Sequence, residues 1–155
     1  MNNSMYIKFP SLSINESFAR TVVASFALNL SPTIEQLSDL KTVVSEAVTN
    51  CIVHAYRGTV GEIELVASQN DGEIIVTVSD TGIGIDDIDL AMEMSFTTRA
   101  DEERSGMGFT IMQAFSDNLT VKKNYPCGTK VSFSKKLFFD KTINGEGGDN
   151  FVRAK

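Results

Sequence analysis

The spacing of apolar residues changes along this chain, and that change restricts its fold more than any other feature. Two long early stretches repeat apolar residues every three to four positions, as amphipathic helices do. Residues 62–68 and 73–79 are instead short runs of Ile and Val around Asn70-Asp71-Gly72, which is typical of a β-hairpin. The order strand, helix, helix, hairpin, loop, helix, hairpin predicts an α/β two-layer sandwich. We expect a mixed, mostly antiparallel sheet that is covered by helices on one face.

The first helix is predicted from a start signal and an apolar stripe. Ser13 is followed three residues later by Glu16, the spacing of a capping box, in which each side chain bonds the other residue's backbone N–H. The helix is expected to run to about Leu30. Its predicted buried positions, at helical spacing, are Phe18, Val22, Phe26 and Leu30.

The second helix is predicted to be long. Ser31 is the expected N-cap, because Pro32 would then occupy the first helical position, which proline favours. Gly58 is the expected stop, so the helix would end near Arg57. Its predicted buried side consists of Ile34, Leu37, Leu40, Val44, Val48, Cys51 and Ile52.

The rest of the chain contains shorter elements and two polar segments. The expected elements are an edge strand at 5–9, a short helix near 86–93, a helix at 106–117, and strands at 118–124 and 128–139. Residues 95–107 are rich in Ser, Thr, Gly and charge, which predicts a surface loop. Residues 140–155 are polar and Gly-rich and are predicted to be a disordered tail, so the expected domain spans 1–139.

Composition excludes several classes of protein. At 155 residues, 42% of them hydrophobic and 22% charged, the chain suits one globular domain. It has no apolar run of about 18 residues and no signal-peptide layout at its start, so we expect a cytoplasmic location. The net charge of −6 and the lack of a basic face argue against direct contact with nucleic acid. The two cysteines have no metal-ligand spacing.

A first motif, Glu46-Ala47-Val48-Thr49-Asn50, lies on the second predicted helix. Glu46 and Asn50 are four residues apart and therefore share one helical face. A carboxylate there can accept a proton, and an amide oxygen is a hard ligand that suits Mg²⁺. Taken alone, the pair is equally typical of a solvated polar face.

A second motif, Asp80-Thr81-Gly82-Ile83-Gly84, directly follows a predicted strand. Its glycines allow a tight turn and a close approach of the backbone to a ligand. The carboxylate of Asp80 can accept a hydrogen bond from an amino group such as that of adenine. The motif is not the dinucleotide fingerprint G-x-G-x-x-G, and many turns look like it.

A third motif, Arg104-Ser105-Gly106-Met107-Gly108-Phe109, ends the polar loop and opens a predicted helix. The free N–H groups and the dipole at a helix N-terminus favour phosphate, and the two glycines let phosphate lie against the backbone. Arg104 can reach a terminal phosphate. The alternative interpretation is a flexible loop with an incidental helix start.

Together and in this order, the three motifs resemble the nucleotide-binding boxes of the histidine-kinase-like ATPase superfamily, which includes DNA gyrase and MutL. The first motif is similar to the N box, the second to the first glycine box, and Gly106 to Gly108 to the second glycine box. By the same resemblance, residues 95–105 form the lid over ATP. Thr129 is similar in position to a threonine that supports adenine.

A narrower resemblance covers roughly residues 5–138. The segments 15–20, 42–50 and 103–112 resemble the anti-sigma F factor family of endospore-forming bacteria. Such proteins are dimeric transcription regulators that inhibit a sporulation sigma factor. They also use Mg-ATP to phosphorylate a serine on an anti-anti-sigma protein.

The resemblance implies a role for each matching residue. Glu46 would be the catalytic base, Asn50 the Mg²⁺ ligand and Asp80 the partner of the adenine amino group, while Arg104 would contact the γ-phosphate. Glu16 and Arg20 would meet the protein partners. The implied nucleotide contacts are Asn50, Asp80, Gly82, Gly84, Thr97, Thr98, Ser105, Gly106, Met107, Gly108 and Thr129.

Three other functions remain open from the residues. A pure binding module would sequester the sigma factor and move no phosphate, so Glu46 would be dispensable. A general-stress anti-sigma kinase would use the same chemistry on a different partner. An ATPase clamp would use Glu46 to activate water, and such clamps normally carry a further domain.

The lack of a G-x-x-x-x-G-K-[ST] P-loop excludes the ordinary lysine cradle for phosphate.

Overall fold

The structure, a computed structural model, describes residues 3–94 and 107–137. Its strands form one sheet in the order β1-β2-β3-β5-β4. These strands are β1 (Asn3–Pro10), β2 (Glu62–Asn70), β3 (Glu73–Asp80), β4 (Asn118–Lys123) and β5 (Thr129–Lys136). All four pairings in the described ranges are antiparallel. The mostly antiparallel sheet is thus confirmed, and the parallel pair that a mixed sheet requires is not found there.

Four helices accompany the sheet in the described part of the chain. They are α1 (Ile14–Ala27), α2 (Ile34–Asn50), α3 (Ile88–Met94) and α4 (Gly108–Phe115). A 3₁₀ turn, Leu28–Leu30, follows α1, and a π-helical turn, Cys51–Ala55, directly continues α2. The helical structure therefore continues without a break to Ala55, close to the predicted end near Arg57.

The helices cover one face of the sheet, as predicted. Along β2, the side chains of Ile63, Leu65 and Ala67 are fully buried, whereas Glu64 and Val66 between them are not. This period of two separates a core face from an outer face. On the core face, the strand residues join buried side chains of α1, α2 and α4 in one cluster. The two-layer sandwich is confirmed.

The hairpin predicted around Asn70-Asp71-Gly72 is confirmed. Asn70 pairs with Glu73, so Asp71 and Gly72 form a two-residue loop. Both loop residues have positive φ, 46° and 81°, as a type I′ turn requires. This register buries every second residue of β2 and β3 on the same face.

The first helix forms where predicted, but two details of the prediction are wrong. The side chain of Ser13 makes no capping hydrogen bond, because its own backbone is helical, with φ of −55° and ψ of −33°, rather than extended as a capping residue requires. The carboxylate of Glu16 instead accepts from Ser45 and faces Arg20. The buried face is also only partly as predicted: Phe26 and Leu30 pack against the core, but Phe18 is 48% exposed and small residues fill the centre of the face. The buried residues of α1 are Ala19, Val23, Ala24 and Ala27.

The second helix starts two residues later than predicted. Ser31 is not the N-cap, since its backbone is left-handed with φ of 53°. Thr33 caps the helix, because it forms a reciprocal box with Gln36: each side chain bonds the backbone N–H of the other. Ile34, predicted on the buried side, is 91% exposed at this first turn.

Parts of the predicted layout lie outside the described residues. These are the polar loop except Met107, and the segment 140–155 that is predicted to be a disordered tail. The domain limits 1–139 therefore stay a prediction. Among the described residues, no helix is long and apolar enough to span a membrane.

Candidate functional site

The first and third motifs meet where α2 faces the start of α4. Gly108 lies so close to α2 that a Cβ placed on it would be 3.1 Å from Asn50 Oδ1 and 3.4 Å from Glu46 Oε2. A side chain at this position would therefore press on the Asn50 amide and touch the Glu46 carboxylate. The fold thus places the carboxylate and the amide of the first motif at the N-terminal end of a helix, and such an end is where backbone N–H groups and the helix dipole favour an anion.

Glu46 is half-buried. We use the word cleft for the region that extends from Gly108, past Glu46 and Asn50, to Asp80. Burial raises the pKa of its carboxyl above the ordinary value, and the negative charge of Glu16 raises it further. A carboxylate with a raised pKa holds an accepted proton better than an exposed glutamate does. The arrangement suits a proton acceptor.

Asp80 ends β3 and is 4% exposed. Its Oδ1 accepts hydrogen bonds from the backbone N–H groups of Gly82 at 2.9 Å and Thr129 at 3.2 Å. The Cys51 thiol donates to its Oδ2 at 3.6 Å. Burial raises the pKa of the Asp80 carboxyl, and the backbone hydrogen bonds oppose that rise. The second motif is thus built around one buried carboxyl group.

The π-helical turn ties the end of α2 to the second motif. It brings the carbonyl of Ala55 to the backbone N–H of Ile83, which donates at 3.1 Å. Gly82 passes so close that a Cβ there would lie 2.4 Å from the same carbonyl oxygen. Tyr56 adds a second tie, because its hydroxyl accepts from the backbone N–H of Thr81 at 3.1 Å. The first two motifs are therefore held as one unit.

The turn between β4 and β5 supports Asp80 from the other side. Asn124 donates a side-chain hydrogen bond to the Asp80 carbonyl at 2.7 Å. Gly128 has φ of 95°, and a Cβ on it would lie 2.1 Å from that carbonyl oxygen. Gly84 in turn packs against Gly128, since a Cβ on Gly84 would lie 3.2 Å from the Gly128 carbonyl oxygen, closer than an ordinary van der Waals contact. Thr129 is buried beside this turn.

Sequence reasoning did not identify Cys51, Tyr56, Asn124 or Gly128 as parts of the site. Tyr56 and Asn124 reach the second motif across 25 and 44 residues of chain, which no local spacing reveals. Gly128 offered a usable signal, because it directly precedes Thr129 in a predicted turn.

The two residues predicted to meet protein partners lie on α1, beside the site. The Ser45 hydroxyl donates to Oε1 of Glu16, and the guanidinium of Arg20 lies 3.6 Å from that same oxygen. Ser45 immediately precedes Glu46. Glu16 is only partly exposed, and Arg20 is more open to solvent.

Five predicted site residues lie outside the described residues: Thr97, Thr98, Arg104, Ser105 and Gly106. Met107 is described, is half-exposed, and precedes the first residue of α4. The structure thus brings together Glu46, Asn50 and Gly108 at one end, and Asp80, Gly82, Gly84 and Thr129 at the other.

Within 3–94 and 107–137, no three His, Cys, Asp or Glu side chains gather in a metal-binding group. Mg²⁺ is commonly held by one or two protein oxygens together with substrate phosphates. The amide oxygen of Asn50, beside Gly108, fits such a single protein ligand.

Fold and site together define a nucleotide-binding domain of the histidine-kinase-like class. A family model described as "Histidine kinase-like ATPase domain" matches residues 9–135. A similar solved structure contains the RsbU and RsbW domains of a Mycobacterium tuberculosis protein; its TM-score is 0.62 at 16% identity. The match covers 87% of this chain and 32% of that one, so it supports the fold.

Curated relatives narrow the class. An anti-sigma F factor of Caldanaerobacter subterraneus subsp. tengcongensis is 55% identical over 136 residues, covering 88% of this chain and 95% of its own. Those of Clostridium acetobutylicum and Bacillus velezensis are 49% and 44% identical, covering 88% and 92% of this chain and 96% and 99% of their own. The chain belongs to the anti-sigma F factor family of histidine kinase-like ATPase domains.

Proposed function

We propose that this protein is an anti-sigma factor that inhibits a sporulation sigma factor and uses Mg-ATP to phosphorylate a serine on an anti-anti-sigma protein. The relatives' name supports the first activity. The observation that carries the second is the half-buried Glu46 carboxylate beside Gly108, where the second glycine box opens α4.

Asp80 is the proposed adenine-binding residue. Its Oδ1 is occupied by two backbone N–H groups, whereas Oδ2 has one weak thiol donor and retains a lone pair for an exocyclic amino group. Because Gly82 and Gly84 have no side chains, the backbone packs closely beside Asp80. Thr129 is buried at the same end. This end of the cleft recognises the base.

The phosphates are proposed to lie at the other end, against the N-terminus of α4. Met107 and Gly108 supply backbone there, and Asn50 supplies an oxygen for Mg²⁺. A bound Mg²⁺ neutralises charge on the phosphate oxygens. By the resemblance, Thr97, Thr98, Ser105 and Gly106 also contact the nucleotide, and Arg104 contacts the γ-phosphate.

The proposed reaction is an in-line displacement. The serine oxygen of the protein substrate forms a bond to the γ-phosphorus, and the bond from that phosphorus to the bridging oxygen of ADP breaks. The serine proton passes to the Glu46 carboxylate, and ADP leaves with the electron pair of the broken bond. The raised pKa of Glu46 favours its acceptance of this proton.

The protein partners are proposed to dock on α1. Arg20 is partly exposed there and carries the positive charge of the patch, with Glu16 beside it. By analogy with the family, the protein is a homodimer and works in the cytoplasm. Both statements are parts of the proposal.

Phosphoserine formation tests the proposal directly. The protein is mixed with Mg-ATP and a purified anti-anti-sigma protein, and phosphoserine is measured by mass spectrometry. Glu46→Gln removes the proton acceptor at constant size, so transfer should fall by about 100-fold or more, since general bases contribute 10²–10⁴-fold. Glu35→Gln, which removes a charge from the opposite end of α2, should leave the rate unchanged.

Nucleotide binding is confirmed for each variant before the rates are compared. Equal transfer by the parent and Glu46→Gln would contradict the role of Glu46. Bound ATP without phosphoserine, together with capture of a sigma factor, would favour a binding module that moves no phosphate. ATP hydrolysis without transfer would favour a clamp.

A further inference from the structure

Glu16 connects a solvent-facing cation to the reacting end of the cleft. Its Oε1 accepts the Ser45 hydroxyl from α2 and lies 3.6 Å from the guanidinium of Arg20, one turn further along α1. The Glu16 side chain is 22% exposed and that of Arg20 43% exposed. One carboxylate oxygen therefore links α1 to α2, and it links the solvent-exposed Arg20 to the partly buried Ser45.

The direction in which Glu16 points is informative, because its carboxylate bonds a different helix and not the start of its own. Its spacing from Ser13 is that of a capping box, yet Ser13 makes no side-chain cap. The carboxylate instead crosses to α2. A first-turn carboxylate is already favoured by the helix dipole, so the link to Ser45 is not needed to stabilise the start of α1.

Ser45 is the residue before Glu46. The hydrogen bond from Ser45 to Glu16 therefore fixes α2 against α1 directly beside Glu46. The two helices pack closely here, because the buried face of α1 consists of Ala and Val. Partial burial also strengthens the electrostatic interaction between charged groups. Consistent with this, the negative charge of Glu16 contributes to the raised pKa of Glu46. Glu16 thus influences both the position of Glu46 and the electrostatic environment of its carboxyl group.

We propose that Glu16 is a positioning residue for phosphoryl transfer, which links the partner-facing Arg20, through Ser45, to Glu46. This inference rests on the proposed kinase function. A protein partner that engages Arg20 competes for the guanidinium and changes the charge balance at Glu16. Docking on α1 therefore acts on the catalytic end of the cleft as well as on affinity.

Two variants separate the charge from the hydrogen bond. Glu16→Gln removes the charge but keeps an oxygen that accepts from Ser45, whereas Ser45→Ala removes the hydroxyl and keeps the charge. Each should lower kcat at saturating protein substrate by about fivefold or more, a typical coupling between sites. The two effects should not be additive, because the side chains share one hydrogen bond. Glu35→Gln on α2 is the charge-matched control and should keep the parental kcat.

The split between kcat and KM decides between positioning and mere binding. If Glu16 only contacts the partner, Glu16→Gln raises KM for the protein substrate and leaves kcat unchanged, and Ser45→Ala changes neither. That result would overturn the inference.

A measurement without a partner keeps the inference separate from the kinase proposal. The ¹³C resonance of the Glu46 carboxyl, assigned with Glu46→Gln, is compared in the nucleotide-free parent and variants. Glu16→Gln and Ser45→Ala should shift it, and Glu35→Gln should not. If no phosphoserine forms with the parent, the proposed function fails, and this resonance still tests the link. An unchanged Glu46 resonance in both variants overturns the link whatever the kinase result.

Discussion

Asp80 shows how a single residue organises the backbone around the second motif. Its carboxylate is bonded by the loop that follows it and by the start of β5, and its carbonyl by Asn124. Three separate segments therefore converge on one residue. The backbone at position 128 passes so close to the Asp80 carbonyl that a Cβ would clash with it, and that explains the glycine there.

Replacing Gly128 with alanine should damage both stability and nucleotide binding. The residue has φ of 95°, which costs a non-glycine residue about 1 kcal/mol or more, and its new Cβ would lie 2.1 Å from the Asp80 carbonyl oxygen. The backbone must move at Asp80 to relieve that clash. Chemical denaturation and ATP titration measure the two effects.

Gly58→Ala is the matched control for this substitution. Its φ is 85°, but its Cβ would meet no atom within 4 Å, so it carries the conformational cost alone. Gly128→Ala should therefore lose more free energy of unfolding than Gly58→Ala and should alone weaken nucleotide binding. Equal losses in the two variants would contradict the close approach to Asp80.

At the scale of elements, the starts of the first two helices show what local sequence can predict. Ser13-x-x-Glu16 and Thr33-x-x-Gln36 have the same spacing, and only the second forms a capping box. The difference is partly local, because Ser13 has helical backbone angles whereas Thr33 is extended, and partly tertiary, because the Glu16 carboxylate bonds Ser45 on a neighbouring helix. A spacing rule indicates the possibility of a cap but cannot show a competing partner 29 residues away.

This difference predicts unequal costs for two similar substitutions. Thr33→Ala removes an observed cap and should lower the free energy of unfolding by about 1 kcal/mol. Ser13→Ala removes no cap hydrogen bond and should stay within about 0.5 kcal/mol of the parent. Urea denaturation of both variants measures the difference. A larger loss for Ser13→Ala would contradict the assigned caps.

The motifs of the candidate site could be predicted from the sequence, but the residues that hold those motifs in place could not. Glu46 and Asn50 share a helix face by spacing alone, and Asp80 follows a strand that alternation reveals. Tyr56 and Asn124 act only because the fold brings distant segments to the second motif. The hairpin between β2 and β3 was equally predictable, because Asp71 and Gly72 carry the turn chemistry locally.

For the molecule as a whole, the sheet face that the helices cover contains the hydrophobic core, and this core stabilises the fold that holds the candidate site. The core side chains of α1, α2, α4 and the strands form a single cluster, which includes Cys51. The Cys51 thiol donates to the carboxyl of Asp80, and these two residues are 3% and 4% exposed. Burial of an ionisable carboxyl at this position costs stability, which is consistent with the proposed functional role of Asp80.

Asp80→Asn should therefore separate stability from function. An amide oxygen can keep the hydrogen bonds from Gly82 and Thr129, so the local structure should survive. The desolvated charge disappears, so the free energy of unfolding at pH 7 should equal or exceed that of the parent. ATP should bind about 10- to 100-fold more weakly, because a hydrogen bond to a charged group contributes about 1.5–3 kcal/mol.

The pH dependence of stability gives this prediction a definite sign. Burial raises the pKa of Asp80 in the folded protein above its value in the unfolded chain, about 3.9. Between those two values the folded state binds more protons, so the Asp80 contribution to stability is present below the unfolded pKa and is lost as pH rises through the folded pKa. Asn does not titrate. The difference in free energy of unfolding, variant minus parent, should therefore rise from about pH 4 upward and level off above the folded pKa, as measured by urea denaturation across pH. A flat difference would mean that Asp80 has the same pKa in both states, and a falling one would mean that the fold stabilises its charge.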